Sequence, residues 1–291
     1  MKPAPLPTPP GSPNVPTGDR WRQVPWVART LYHLVPFRRG IVLDNLRRVF
    51  GQTLSEAEIQ LLAQSYSAHF LRFFLEWACS PFRSKARKQA MVRVENIESP
   101  IQAHQQGKGI LLLTAHFGNW EVATVSGIGQ FPQFKGLLHF VRRPLKPKWV
   151  NDFLTRRFRK AGFGTVSHSG SLEQILNLLE AGNLVVFVFD QHAGGRDGVV
   201  VDFCGHPAAT FKSLAILALN TGAPVIPTST WREPDGSHVL RFEDPLPLRE
   251  HENVGEAIRL NTRAYNESIE KMLMRHPEQW IWMHRRWKHS T

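Results

Sequence analysis

The amino-acid sequence predicts an α/β protein whose mostly parallel central sheet is covered by helices on both faces. Three features point there. "GILLL" before Thr114 and "LVVFVF" (Leu184–Phe189) are short continuous apolar runs, the pattern of strands buried on both sides. Between such runs lie helix-length segments, among them Ser171–Ala181, closed by Gly182 where a left-handed residue ends a helix. Strands that alternate with helices build a parallel sheet, because each return crossing lays a helix on one face.

In chain order, residues 1–19 are a proline-rich tail, read as disordered because it offers too little apolar surface to pack a core. Residues 20–291 read as one domain, with a helical part (20–93) leading into an α/β core (94–291). Trp21, Val24, Ala28, Leu31 and Val35 follow helical spacing beside Arg20, Arg22, Arg29, Arg38 and Arg39, while Pro25 and Pro36 keep any helix short. Such a segment suits either an anionic lipid surface or the domain's own core. "SEAE" (Ser55–Glu58) fits a capping box, and the stripe Ile59, Leu62, Ala63, Tyr66, Phe70, Phe73, Phe74 and Trp77 reads as core. Strands are expected at Ile110–Thr114, Leu137–Val141 and Leu184–Phe189. Further strands are expected in "APVIPTSTW" and "HVLRFED", joined at "PDGS", and a last helix from about Val254 to Arg275.

Bulk composition narrows the partners. The chain has 36 Lys+Arg against 24 Asp+Glu, a formal net charge of +12, so nucleic acid, an acidic protein or an anionic membrane surface would suit it. Cys79 and Cys204 form no metal-type pair and fit a reducing compartment. No signal peptide is visible, and the longest uncharged apolar stretch, Ser213–Trp231, is broken by Asn220, Gly222, Pro224 and Pro227. A soluble or surface-bound protein with no spanning helix is expected.

"TAHFGNWE" (Thr114–Glu121) carries the chemistry. On a regular helix, residues five apart are turned by about 140°, so His116 and Glu121 would not meet. They can meet if His116 sits in the turn after the strand, Gly118 shapes that turn and Asn119 caps the helix. That arrangement predicts a general base, an orienting carboxylate and a helix N-terminus suited to developing negative charge. Asp190 follows another buried strand and falls at the same sheet end, as a site residue or as a cap or salt-bridge partner. No zinc motif and no phosphate loop is present, so no metal or cofactor is expected.

"HFGNWE" resembles the His-x4-Asp/Glu motif of glycerolipid acyltransferases, and more closely its version in bacterial lipid A biosynthesis acyltransferases. "LDNLRRVFG" (Leu43–Gly51), "VRRPLKP" (Val141–Pro147), "FDQH" (Phe189–His192), "DFCGHPAAT" (Asp202–Thr210) and "PEQWIWMHRRWK" (Pro277–Lys288) stand in that family's order. The resemblance implies a glycerolipid-acyltransferase-like fold and transfer of an acyl group from acyl-carrier protein to a lipid hydroxyl. His116 would act as base with Glu121 as its orienter, at the cytoplasmic face of the bacterial inner membrane. Asn119, Arg143, Asp190 and one of Arg156, Arg157 or Arg159 are the further substrate-binding candidates, with Arg156 and Arg159 put first. Trp280, Trp282 and Trp287 beside Arg285, Arg286 and Lys288 suit a bilayer interface, single-stranded nucleic acid or simple docking of the C-terminus. Other readings are a lysophospholipid, glycolipid or pigment acceptor, and a basic nucleic-acid-binding module. The last leaves the His–Glu turn without a role, so no nucleic-acid partner is expected.

Overall fold

The computed structural model describes residues 14–34, 37–167 and 170–288. Helices α1 (Trp26–Leu34), α2 (Arg39–Phe50), α3 (Glu56–Cys79) and α4 (Lys85–Ala90) come first. Then follow β1 (Val92–Glu95), α5 (Glu98–His104), β2 (Ile110–Thr114), α6 (Trp120–Ile128), β3 (Leu138–Arg142), α7 (Lys148–Lys160), β4 (Gly164–Ser167), α8 (Leu172–Glu180) and β5 (Leu184–Val188). The chain continues through β6 (Gly198–Phe203), β7 (His206–Phe211), α9 (Ser213–Thr221), β8 (Val225–Arg232), β9 (His238–Phe242) and α10 (Val254–Arg275).

Among the described residues seven strands form one sheet in the order β1-β9-β8-β2-β5-β3-β4. All neighbours are parallel except β8 and β9, which the "PDGS" turn joins as an antiparallel hairpin. β2 and β5 lie at the centre and are apolar along their lengths because helices cover both faces. Two apolar clusters fill the spaces between sheet and helices. The larger joins Leu46, Phe50 and Leu62 of the helical part to Leu111 and Leu113 of β2 and to Trp280. The expected boundary at 93/94 falls inside β1, so the helical part ends within the sheet.

Local signals held where they were strong. Ser55 and Glu58 exchange the hydrogen bonds of a capping box at the start of α3. β3 and β5 are each offset or shortened by one residue from the expected spans. The sequence reading has no β1, β4 or antiparallel β6–β7 hairpin, and the "DFCGHPAAT" segment runs from the end of β6 through the hairpin turn into β7. Cys204 and Gly205 make the turn with φ of 54° and 80°.

The tail reading is corrected for residues 14–19; residues 1–13 lie outside the described residues. Asn14 Nδ2 donates to the carbonyls of Val49 and Cys204, and Thr17 N–H donates to Met274 O at 2.8 Å. The expected stripe from Trp21 is broken as well. A 3₁₀ turn at Arg20–Arg22 buries Trp21, and Val24 is buried before α1 starts. Arg20 pairs with Glu233 at 2.6 Å and Arg22 with Glu58 at 2.8 Å. The exposed apolar residues here are instead Trp26, Val27, Leu34 and Phe37. Val35 lies outside the described residues.

Candidate active site

β2 ends at Thr114, and the chain then passes through Ala115 and His116 into a tight turn. Gly118 has φ of 54°, and a Cβ there would stand 2.7 Å from the Thr230 carbonyl, so both conformation and space require glycine. Asn119 caps α6, its Oδ1 accepting from Val122 N–H at 3.3 Å.

The register of the central strands brings the site together. Thr114 pairs with Val188 in the parallel β2–β5 ladder, so two residues further on each strand His116 and Asp190 stand side by side. Asp190 Oδ2 accepts from His116 N–H and Oδ1 lies 2.8 Å from His116 Nδ1. Trp280 Nε1 also donates to Oδ2, at 2.8 Å. Burial would raise the Asp190 pKa, but the facing His116 charge and the three hydrogen bonds outweigh it and hold the carboxyl below its ordinary range. An ionised Asp190 accepts only, so it accepts a hydrogen bond from Nδ1–H and leaves the Nε2 lone pair of His116 for a substrate proton.

Glu121 does not orient the histidine. Its carboxylate accepts from Arg157 Nη2 at 2.8 Å, and it also bonds Trp77. Burial raises its pKa, with Arg157 and Trp77 pulling the other way. Among the described residues no hydrogen bond joins Glu121 to His116. The helix starts at the Asn119 cap as expected, but Glu121 in its first turn pairs with the arginine of α7, and Asp190 takes the place at His116 Nδ1. Arg157, set behind its neighbours in the sequence reading, is the arginine that reaches the site, whereas Arg156 and Arg159 are exposed. Arg143 is exposed as well, over the Phe211 ring at 6.0 Å. Asn119 is fully buried with both amide ends engaged, its Nδ2 donating to Glu76 Oε2 at 3.0 Å, so it acts as a cap rather than as a group open to substrate.

Aromatic residues form one wall. The His116 ring meets Trp120 edge-on at 5.0 Å, and Phe73 of α3 stacks on Trp120 at 4.6 Å. The stripe read as plain core thus borders the histidine, and Phe74 at its far side is exposed. The C-terminal Trp/Arg box points inward. Trp280, Trp282 and Arg286 are fully buried, and Arg286 donates to Ala209 O at 2.7 Å and Thr210 Oγ1 at 2.6 Å. Burial lowers the Arg286 pKa to about 10. The tryptophans of the box therefore offer no interfacial face, though Arg285 and Lys288 are exposed, and Trp280 bonds Asp190 of the site. Among the described residues no three His, Cys, Asp or Glu side chains gather as a metal site, and no helix is long and apolar enough to cross a membrane.

Comparison with known proteins decides what this arrangement belongs to. The sequence model described as "Bacterial lipid A biosynthesis acyltransferase" matches residues 18–289. The chain belongs to that family. It is therefore an acyltransferase, and the resemblance read from its motifs holds over nearly its whole length. The lipid A biosynthesis lauroyltransferase of Escherichia coli K12 is 30% identical over 260 residues, covering 86% of this chain and 79% of the relative. The lipid A biosynthesis palmitoleoyltransferase of the same organism is 25% identical over 263 residues with the same coverage. A phosphatidylinositol mannoside acyltransferase of Mycolicibacterium smegmatis is 28% identical over 199 residues, covering 66% of this chain and 62% of that protein.

Proposed function

We propose that this acyltransferase moves a fatty acyl group from an acyl-carrier-protein thioester to a hydroxyl of a lipid acceptor of the lipid A precursor type. The observation that carries the reading is the His116–Asp190 pair at the carboxyl end of two central parallel strands, where ligands of open α/β sheets bind. His116 Nε2 takes the hydroxyl proton as the oxygen attacks the thioester carbonyl, and Asp190 stabilises the imidazolium that forms. The tetrahedral oxyanion is stabilised at the positive N-terminal end of α6. As it collapses the C–S bond breaks, and His116 returns its proton to the leaving thiolate. Ester and free carrier thiol leave, with no acyl-enzyme needed. Glu121 and Arg157 act as a pair beside this centre, with Arg157 the cation available to an acceptor phosphate. The mycobacterial relative favours one alternative acceptor, a mannosylated glycolipid. The nucleic-acid reading loses its stacking platform, because Trp280, Trp282 and Trp287 are buried.

The acceptor is a lipid, and the surface suits a bilayer at the cytoplasmic face of the inner membrane. Trp26 (77% exposed), Leu34 (70%) and Phe37 (61%) project from the α1 region, with Arg29 and Arg38 beside them; Phe82 (90%) follows α3. Aromatic and aliphatic side chains among arginines are what attach a protein to anionic lipid without crossing it.

Acyl transfer from lauroyl-carrier protein to a purified lipid A precursor tests the mechanism. His116→Ala and Asp190→Asn should each lower turnover about 10²–10⁴-fold while the fold, read by circular dichroism, is kept. A folded His116→Ala protein with near-normal turnover would overturn it.

A further inference from the structure

Glu76 of α3 is a buried carboxylate bonded directly to the catalytic turn. Its Oε2 accepts from Asn119 Nδ2 at 3.0 Å. Both oxygens also accept from Arg232, Nε to Oε1 at 2.7 Å and Nη2 to Oε2 at 2.6 Å. Arg232 Nη1 lies 2.8 Å from His69 Nδ1, and His69 in turn bonds the Gly118 backbone. Proton placement follows from the partners. A guanidinium only donates, so His69 Nδ1 accepts, and the remaining ring N–H on Nε2 is free for the Gly118 carbonyl. Burial and then the Arg232 charge hold the His69 pKa well below its ordinary value, so this tautomer is stable at neutral pH.

The strand that carries Arg232 completes the grip. Gln279 spans the Arg232 backbone, accepting from its N–H at 2.8 Å and donating to its carbonyl at 3.0 Å. The Gln279 carbonyl accepts from Gly118 N–H at 3.0 Å. Thr230 Oγ1 donates to the Phe117 carbonyl at 2.7 Å. The Phe117 carbonyl, both backbone polar groups of Gly118 and the Asn119 amide are thus all fixed by α3, β8 and Gln279.

Stability alone does not call for this. A buried ion pair often contributes no more than apolar residues of the same volume, because desolvation offsets the attraction. What it supplies is direction. Glu76 accepts only, so it decides which end of the Asn119 amide faces Val122, and His69 decides where the Gly118 carbonyl points.

We propose that His69, Glu76 and Arg232 are positioning residues for acyl transfer, setting the Phe117–Asn119 turn and through it the placement of His116 against the start of α6. The proposal rests on the reading of His116 as the base. A turn shifted by about 1 Å costs on the order of 10²-fold in rate, and it acts on the chemical step more than on substrate capture.

His69→Leu removes the donor to Gly118, and His69→Gln keeps an Nε2 amide near the same point. Glu270→Gln is the control for stability: it weakens the half-buried Arg263–Glu270 pair (2.6 Å) beside the β6–β7 hairpin, away from the turn. With lauroyl-carrier protein and a lipid A precursor as probes, His69→Leu should lower kcat about 10- to 100-fold with both KM values within about twofold. His69→Gln should recover most of that loss, and Glu270→Gln should keep wild-type kcat at a comparable fall in Tm. Should His69→Leu not fold, Thr230→Val, which removes only the hydroxyl donated to Phe117, carries the same expectation. Wild-type kcat in the folded His69→Leu or Thr230→Val protein overturns the proposal, as does an equal kcat loss in Glu270→Gln. If His116→Ala is itself active, the reading of the base has failed; if His116→Ala is inactive while His69→Leu is normal, only the positioning has.

Discussion

Trp280 Nε1 donates to Asp190 Oδ2 at 2.8 Å, joining residues 90 apart in sequence and tying the C-terminal box to the carboxylate that holds His116. Asp190 has no exposed side-chain surface, so no solvent can replace that donor. Trp280→Phe keeps a buried ring and removes the N–H. A hydrogen bond to a charged group is worth about 1.5–3 kcal/mol, so kcat should fall roughly tenfold or more. The variant should also be more sensitive to acid. The folded Asp190 pKa lies below its unfolded value, so its contacts contribute stability above the unfolded value and lose it as pH falls through the folded one. Losing a donor raises the folded pKa and narrows that window. Unchanged turnover together with unchanged acid unfolding would show that the indole only fills space.

Arg157 differs from the two arginines beside it because it faces a buried carboxylate at 2.8 Å. Arg157→Met leaves Glu121 without its counter-charge and should cost about 3 kcal/mol of stability, with activity falling at least tenfold. Arg156→Met and Arg159→Met, at exposed positions, should change stability by less than about 0.5 kcal/mol. The double variant Arg157→Met/Glu121→Gln should regain most of the stability without the activity, since no buried charge is then left alone. Chemical denaturation of the four proteins checks the stability claim, and turnover checks the rest.

These two contacts show what could be read from the sequence and what could not. β2, β5, α10, the Ser55 cap and the Gly118–Asn119 turn are written locally, in apolar runs and in residues with one conformational use. The His116–Asp190 bond is a matter of register between β2 and β5, and neither segment states that Thr114 lies beside Val188. Sequence order favoured Glu121 as the partner because it was near in the chain; in the first turn of α6 it pairs instead with Arg157 of α7. β1 and β4 are four-residue strands at the sheet edges, too short for a period to show. Tryptophans beside arginines look alike whether they face lipid or fill a core, and only the burial of Trp282 and Arg286 separates the two.

Buried histidines make the fold acid-sensitive before any carboxylate does. Burial lowers the pKa of His238 and of His276 from 6.5 to about 4, and holds those of His69 and His284 down as well. The unfolded chain therefore takes up these protons first as pH falls, and stability declines from about pH 6.5 down to 4. The difference corresponds to roughly 3 kcal/mol per histidine. Tm should fall steadily over that range, and His238→Gln should flatten the slope. A Tm that stays constant from pH 7 to 4 would contradict the burial of both rings in neutral form.

An acyl-carrier protein as donor needs a docking surface, and the end of β3 offers one. Arg142, at the end of β3, is held against α7, Nη1 donating to Thr155 Oγ1 at 3.0 Å and Nη2 to Asn151 Oδ1 at 2.6 Å. Reversing its charge would disturb α7 and confuse docking with folding. Arg143, Lys146 and Lys148 are exposed just beyond β3, on the same side of the sheet as the ends of β2 and β5. An acidic carrier protein arriving there would be steered by charge, so association should be fast and should weaken steeply with ionic strength. Arg143→Glu/Lys146→Glu should raise the KM for lauroyl-carrier protein about tenfold and leave that for the acceptor lipid nearly unchanged, because rim charges act on encounter more than on the bound state. The same variant should lose most of the salt dependence of kcat/KM. Equal use of lauroyl-coenzyme A and lauroyl-carrier protein at low salt would count against a carrier-specific surface, since the thioester chemistry proposed for His116 would be the same for both donors.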